Sequence, residues 1–90
     1  MKFILARTKK FKKSFKKLHL KDNDEAIFID IVAKLLNGIV LEKKYKDHLL
    51  KGYSEHIREC HLKPDLLLVY RNYKDELQLI DIGSHSKLFE

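Results

Sequence analysis

The stretch Leu66–Arg71 (LLLVYR) is apolar at both odd and even positions. A strand turns successive side chains to opposite faces, so a run apolar at both parities must be covered on both sides. This requirement predicts a central strand in the second half of the chain and asks the remainder to supply its neighbours and covers. Asn72–Glu76 reads as a polar hairpin turn, and Leu77–Ile82 (LQLIDI) as the partner strand. Upstream, Ser54–Leu62 alternates loosely until Lys63-Pro64 breaks it. Lys2–Ala6 (KFILA) reads as a short first strand. After Thr8, the segment Lys9–Leu20 places Phe11, Phe15 and Leu18 at helical spacing, with lysines filling the other positions. A second helix is expected to start with Asp22 as N-cap, with Glu25 three residues later, and to stop at Asn37-Gly38. Its apolar residues Ile27, Phe28, Ile31, Val32, Leu35 and Leu36 cover more than one face, so it should be the better buried helix. Ile39–Tyr53 has no sustained period and reads as a loop with one helical turn around Glu42–Tyr45. The expected order is β-α-α-β-β-β. This is a single α+β domain over residues 1–90, with two N-terminal helices packed on one side of a mostly antiparallel four-stranded sheet.

Ninety residues, 44% of them hydrophobic, suffice for one core and not for two. A single cysteine, Cys60, allows no internal disulfide and is expected to be buried and inert. No apolar run approaches the length of a membrane span, and the charges of MKFILARTKKFKK follow its apolar stretch, the wrong order for a signal peptide. A cytoplasmic location, with no membrane partner, is the expectation. The net charge of +6 is unevenly placed, since Lys2–Lys21 carries ten basic residues, His19 included, and no acidic one. Such a concentration points to a polyanion or an acidic protein as partner. The plainer alternative is a solvated lysine face kept for solubility.

Four of the five histidines, His48, His56, His61 and His85, lie in the second half. No paired Cys or His spacing of the kind that structural zinc needs is present, so no metal and no cofactor are expected. Acid–base chemistry is what imidazoles serve near neutral pH. RNA carries its own nucleophile, the 2′-hydroxyl. Its cleavage therefore needs a base for that proton, an acid for the leaving 5′-oxygen, and positive charge for the phosphorane-like transition state. His61, Asp65 and His85 with Arg58 would supply that set. Taken singly, each has an ordinary reading as well: histidines at strand ends are often surface residues, and Pro64-Asp65 suits a β-turn.

The chain from Tyr45 to Phe89 resembles the YafQ branch of the RelE/ParE superfamily of bacterial toxins. The matching pieces are Lys46-Asp47-His48, Gly52, Arg58-Glu59-Cys60-His61, Pro64-Asp65, Leu67-Leu68-Val69-Tyr70, and Gly83-Ser84-His85 followed by Leu88-Phe89. They cover about half the chain in order, while the N-terminal half matches only in architecture. Leu49 stands where a proline often follows the first histidine, and Leu66 where an aromatic residue often follows the aspartate. The resemblance implies a RelE-like fold and a type II toxin that cleaves mRNA on the ribosome and is silenced by a cognate antitoxin. It also implies His48, His61, Asp65 and His85 as catalytic residues. His85 would be the general acid, His48 or Asp65 the base, and His61 would orient or stabilise the phosphate. Phe89 would stack on a base. Arg58 matches a recurrent basic position and is expected to touch RNA or to serve a structural ion pair. Lys12, Lys13 and Lys16 are expected to contact ribosomal RNA. Two rivals have different chemistry: a toxin of the gyrase-poisoning kind acting by protein contact, which would lack this histidine set, and a non-catalytic RNA-binding module built on the lysine helix.

Overall fold

The computed structural model describes residues 2–52 and 56–89. Its elements are β1 (Ile4–Arg7), α1 (Lys9–Leu18), α2 (Asp22–Leu36), a 3-10 turn at Lys43–Tyr45, β2 (His48–Leu49), β3 (Ile57–Lys63), β4 (Leu66–Tyr73), β5 (Glu76–Gly83) and α3 (His85–Leu88). Ser54 at the start of the expected third segment and Tyr53 at the end of the expected loop lie outside the described residues. The sheet runs β1-β5-β4-β3-β2, so the run Leu66–Arg71 is indeed in its central strand. All pairings are antiparallel except that of β1 with β5.

The sheet has five strands where four are expected. The added strand comes from the expected loop, where His48 and Leu49 pair with Glu59 and Arg58 of β3. A two-residue strand is too short to show a period, and its backbone bonds to β3 define it instead. The start of α2 also differs. Lys21 occupies the cap position without a side-chain bond, and Asp22 is already helical. Asp22, Asp24 and Glu25 serve the first turn through their charge beside the helix dipole. The C-terminus of α2 follows expectation. Gly38 takes φ 69, its N–H reaches the Leu35 carbonyl at 3.1 Å, and the Ile39 N–H reaches Lys34 at 2.9 Å. That pair of bonds is a Schellman motif, in which glycine tolerates the left-handed residue.

The two helices cover one face of the sheet. Phe11 of α1 and Ile31, Val32 and Leu35 of α2 pack into a core with Cys60, Leu62, Leu68, Tyr70 and Ile82. Phe11, Phe15 and Phe28 form a cluster with ring centroids 4.8–6.0 Å apart, in which Phe11 is fully buried and contributes about 1.5–3 kcal/mol. As expected, α2 gives the core more residues than α1. Thr8 couples α1 to the sheet: its hydroxyl accepts from the Phe11 N–H at 2.9 Å and donates to the Ile80 carbonyl at 2.8 Å. That carbonyl lies where the β4–β5 register skips a residue, between Val69↔Asp81 and Tyr70↔Leu79, so the hydroxyl serves a group the ladder leaves over.

The opposite face carries a row of residues in register: Ile57, Glu59 and His61 on β3, Leu67 and Val69 on β4, and Asp81 and Gly83 on β5. Here the cover is α3. Leu88 and Phe89 line a cavity of about 260 Å³ with Ile57 and Val69, and a Cβ on Gly83 would already touch Lys87 at 3.4 Å. No helix among the described residues is long and apolar enough to cross a membrane.

Candidate active site

Two groups of side chains belong to the α3-covered face. The first is built where β2 meets β3. Backbone pairing sets His48 directly opposite Glu59, and His61 follows Glu59 by two residues on the same face of β3. The Glu59 carboxylate sits between the imidazoles, its Oε1 3.5 Å from His48 Nε2 and 3.4 Å from His61 Nε2. The ring centroids are 6.3 Å apart. Glu59 is only 4% exposed, and its Oε2 has no hydrogen-bond partner among the described residues. A buried, half-satisfied carboxylate is costly, and a proton on either imidazole completes an ion pair with it. His48 is held from its other side, because its Nδ1 bonds to the Lys46 carbonyl. A carbonyl only accepts, so Nδ1 carries the hydrogen. His48 Nε2 is then the nitrogen that takes up or releases a proton.

The second group is carried by α3. Ser84 caps this short helix, accepting from the Lys87 N–H at 3.2 Å. Asp65, at the β3–β4 turn, accepts the backbone N–H of His85 at 3.0 Å and so ties α3 to the sheet. His85 is exposed, and its ring lies 5.0 Å from that of Phe89. Leu67 pairs with His61 on one side and Gly83 on the other. On the backbone, the strand that carries His61 and the strand that leads into α3 are therefore two spacings, about 10 Å, apart, and β2 with His48 lies one spacing further out.

His48 and His61 are thus brought together through Glu59, and Asp65, His85 and Phe89 through α3. Arg58 is not part of either group. Its parity puts it on the other face of β3, with Nε 3.3 Å from Asp47 Oδ1, and Asp47 also accepts the Tyr70 hydroxyl. Burial opposes the Arg58 charge, but the hydrogen bond and attraction of Asp47 outweigh it and raise its pKa. Arg58 thus makes the structural ion pair. The same network, together with burial, pushes the Tyr70 phenol well above its usual range. Burial, with Asp47 and Glu59 nearby, pushes the Cys60 thiol up to about 12, so it is no nucleophile. Lys12, Lys13 and Lys16 lie exposed along α1. Lys10, also on α1, reaches Asp81 on the site's side of the sheet at 3.6 Å.

Glu59 was not among the residues singled out from the sequence. The signal was the pair Glu59-x-His61 in a strand, since positions two apart share a face.

A family model described as the bacterial toxin of a type II toxin-antitoxin system, YafQ, matches residues 4–90. The mRNA interferase toxin YafQ of Escherichia coli is 36% identical over 53 residues, 59% of this chain and 58% of that protein. The curated relatives at the head of the comparison are matched over 63% and 58% of their own lengths. Among solved structures, a copper-bound mutant toxin of Helicobacter pylori superposes with a TM-score of 0.89 at 41% identity, covering 97% of this chain and 99% of that one. The Escherichia coli DinJ-YafQ toxin-antitoxin complex gives 0.86 at 26% identity, with 100% of both chains covered. As to a metal, no group of three or more His, Cys, Asp or Glu among the described residues here is arranged to hold one. The match over nearly the whole sequence, on a fold that superposes throughout, shows that this chain belongs to the YafQ family of type II toxin-antitoxin toxins.

Proposed function

We propose that this chain is an endoribonuclease that cleaves mRNA on the ribosome in the cytoplasm without a metal ion, and that a cognate antitoxin silences it. The observation that carries the reading is the buried Glu59 carboxylate seated between His48 and His61, 3.5 and 3.4 Å from their Nε2 atoms, on the sheet face that α3 with His85 covers. The name of the Escherichia coli relative as an mRNA interferase and the DinJ-YafQ complex support the same substrate and the same kind of partner.

The scissile phosphate sits between the groups. His48 Nε2 takes the 2′-hydroxyl proton, and Lys46 and Glu59 hold that imidazole in place. The 2′-oxygen bonds to phosphorus, and the bond to the 5′-oxygen breaks as His85 protonates it. His61, 3.4 Å from Glu59, faces the phosphate and stabilises its added charge. His48 is a better base than Asp65, since Asp65 Oδ1 is already engaged by the His85 backbone. Phe89, beside His85, offers a ring for a base to stack on. The exposed Lys12, Lys13 and Lys16 contact ribosomal RNA, and an acidic antitoxin segment suits the same surface.

The deciding experiment is analysis of the product ends. Cleavage should leave a 2′,3′-cyclic phosphate, or the 3′-phosphate from its hydrolysis, and a 5′-hydroxyl. A strand with 2′-deoxyribose at the scissile position should bind uncut. Ends bearing a 5′-phosphate would refute the scheme.

A further inference from the structure

We propose that the basic pocket beside His61 seats one nucleotide of the substrate RNA adjoining the scissile phosphate. The proposal rests on the ribonuclease reading above and adds a binding subsite to it. The pocket has a volume of about 380 Å³ and opens between α2, the 3-10 turn and the end of β3. This is within the range of small-ligand sites, roughly 300–1,000 Å³.

Its chemistry has two layers. Ile27, Leu62 and Pro64 form an apolar floor, and the half-buried Tyr45 ring forms a wall. Above them the exposed Lys44, Lys46 and Lys63 stand at the mouth. Lys63 shares its charge with Asp24, 3.3 Å away. The Lys44 ammonium lies 5.1 Å from the Tyr45 ring centroid. A nucleobase, flat and apolar on its faces, replaces that ammonium on the ring, and the freed ammonium meets its phosphate. An acidic protein segment would use the lysines and leave the floor and ring uncovered.

The end of β3 joins the pocket to the active site. The β3–β4 register pairs His61 with Leu67 and Lys63 with Leu66, skipping Leu62. Leu62 keeps its side chain in the helix-covered core, and His61, Leu62 and Lys63 all line the pocket at the strand's end. His61 is shared: its Nε2 lies 3.4 Å from Glu59, and it also lines the pocket. A nucleotide in the pocket brings its phosphate to the imidazole that the cleavage scheme assigns to the phosphate. The 3-10 turn serves both sites at once, since Tyr45 walls the pocket and the Lys46 carbonyl holds His48.

The test uses the full-length protein and a short single-stranded RNA under steady-state cleavage. Lys44→Ala with Lys63→Ala removes two exposed cations and should raise KM about tenfold or more at 0.1 M salt, leaving kcat within about twofold. The slope of log affinity against log salt, read on the 2′-deoxy strand, should fall by about 1.4, which is 0.7 for each lost phosphate contact on a single strand. Lys44→Arg with Lys63→Arg should restore both. Tyr45→Leu should raise KM about tenfold while Tyr45→Phe does not, with circular dichroism monitoring the fold. Replacing the base of one nucleotide beside the cleaved bond with an abasic sugar should raise the wild-type KM about as much as Tyr45→Leu does, and should cost nothing further in Tyr45→Leu. A double lysine variant that cleaves with unchanged KM and salt slope overturns the subsite, and so does one that loses only binding to an acidic antitoxin peptide. A wild-type protein that cleaves mRNA neither as a free strand nor on the ribosome overturns the ribonuclease reading, and the subsite with it.

Discussion

Asp65 is the residue whose role the geometry divides most sharply from its sequence reading. If its carboxylate is a general base, Asp65→Asn removes the proton acceptor and should cost about 10²–10⁴ in rate. If it is a tether, the asparagine carbonyl still accepts the His85 N–H now bonded to Oδ1 at 3.0 Å, and little is lost. The structure supports the tether. Asp65→Ala breaks that bond outright, but both residues are exposed, so water takes over the freed N–H. The net loss is then about 0.5–1.5 kcal/mol. Spread over the docking of α3, that loss lowers the fraction of molecules with His85 in place by at most about tenfold, because 1.4 kcal/mol is one factor of ten. The expected order of single-turnover cleavage rates is therefore wild type and Asp65→Asn nearly equal, with Asp65→Ala slower by about three- to tenfold. Thermal melts should show Asp65→Asn within a degree or two of wild type and Asp65→Ala a few degrees lower. An Asp65→Asn protein that melts like wild type but cleaves more than about 100-fold slower would refute the tether and make Asp65 the base.

His85 is exposed on a four-residue helix, so His85→Ala should relieve growth arrest while shifting stability by less than about 0.5 kcal/mol in a thermal melt. An unfolded variant, or one as toxic as the parent, would contradict its place as general acid. Reversing Lys12, Lys13 and Lys16 to glutamate should weaken ribosome binding and flatten its salt dependence, as measured by sedimentation at several salt concentrations. Unchanged affinity would leave the lysines as a solubility face. Cys60 is fully buried, with its thiol pushed from the ordinary 9.0 up to about 12, so the unfolded chain loses that proton first as pH rises. Its contribution to stability is therefore intact below pH 9 and lost between pH 9 and about 12. Denaturant melts across that window should show stability falling with pH, and less steeply in Cys60→Ala.

The difference between what was legible in the sequence and what was not follows from how each feature is encoded. The central strand Leu66–Arg71, the phenylalanine stripe of α1 and the glycine stop of α2 were legible because each is a local pattern with its own period or backbone demand. β2 was not, since it consists of two residues that are a strand only because β3 lies beside them. The helix-start pattern at Asp22 and Glu25 misled by one residue, because carboxylates favour the first helical turn through the dipole as well as through capping. The site divides in the same way. Histidine and aspartate were identifiable by residue type and by likeness to a known family, but type does not say which carboxylate touches which imidazole. Two acids were candidates to serve the histidines. Asp65, the one the motif highlights, is bonded to a backbone N–H, and Glu59, which it passes over, lies between His48 and His61. What separates them is strand register. Glu59 pairs with His48 across β2–β3 and precedes His61 by two, so both imidazoles meet it on one face. One residue along, Arg58 is turned to the opposite face and spends its charge on Asp47. Arg58, read as an RNA contact or a structural ion pair, thus braces the loop that positions His48, through Asp47 directly before it. Which residue types are present is a matter of composition, but which of them meet is set by the parity of a single strand, β3.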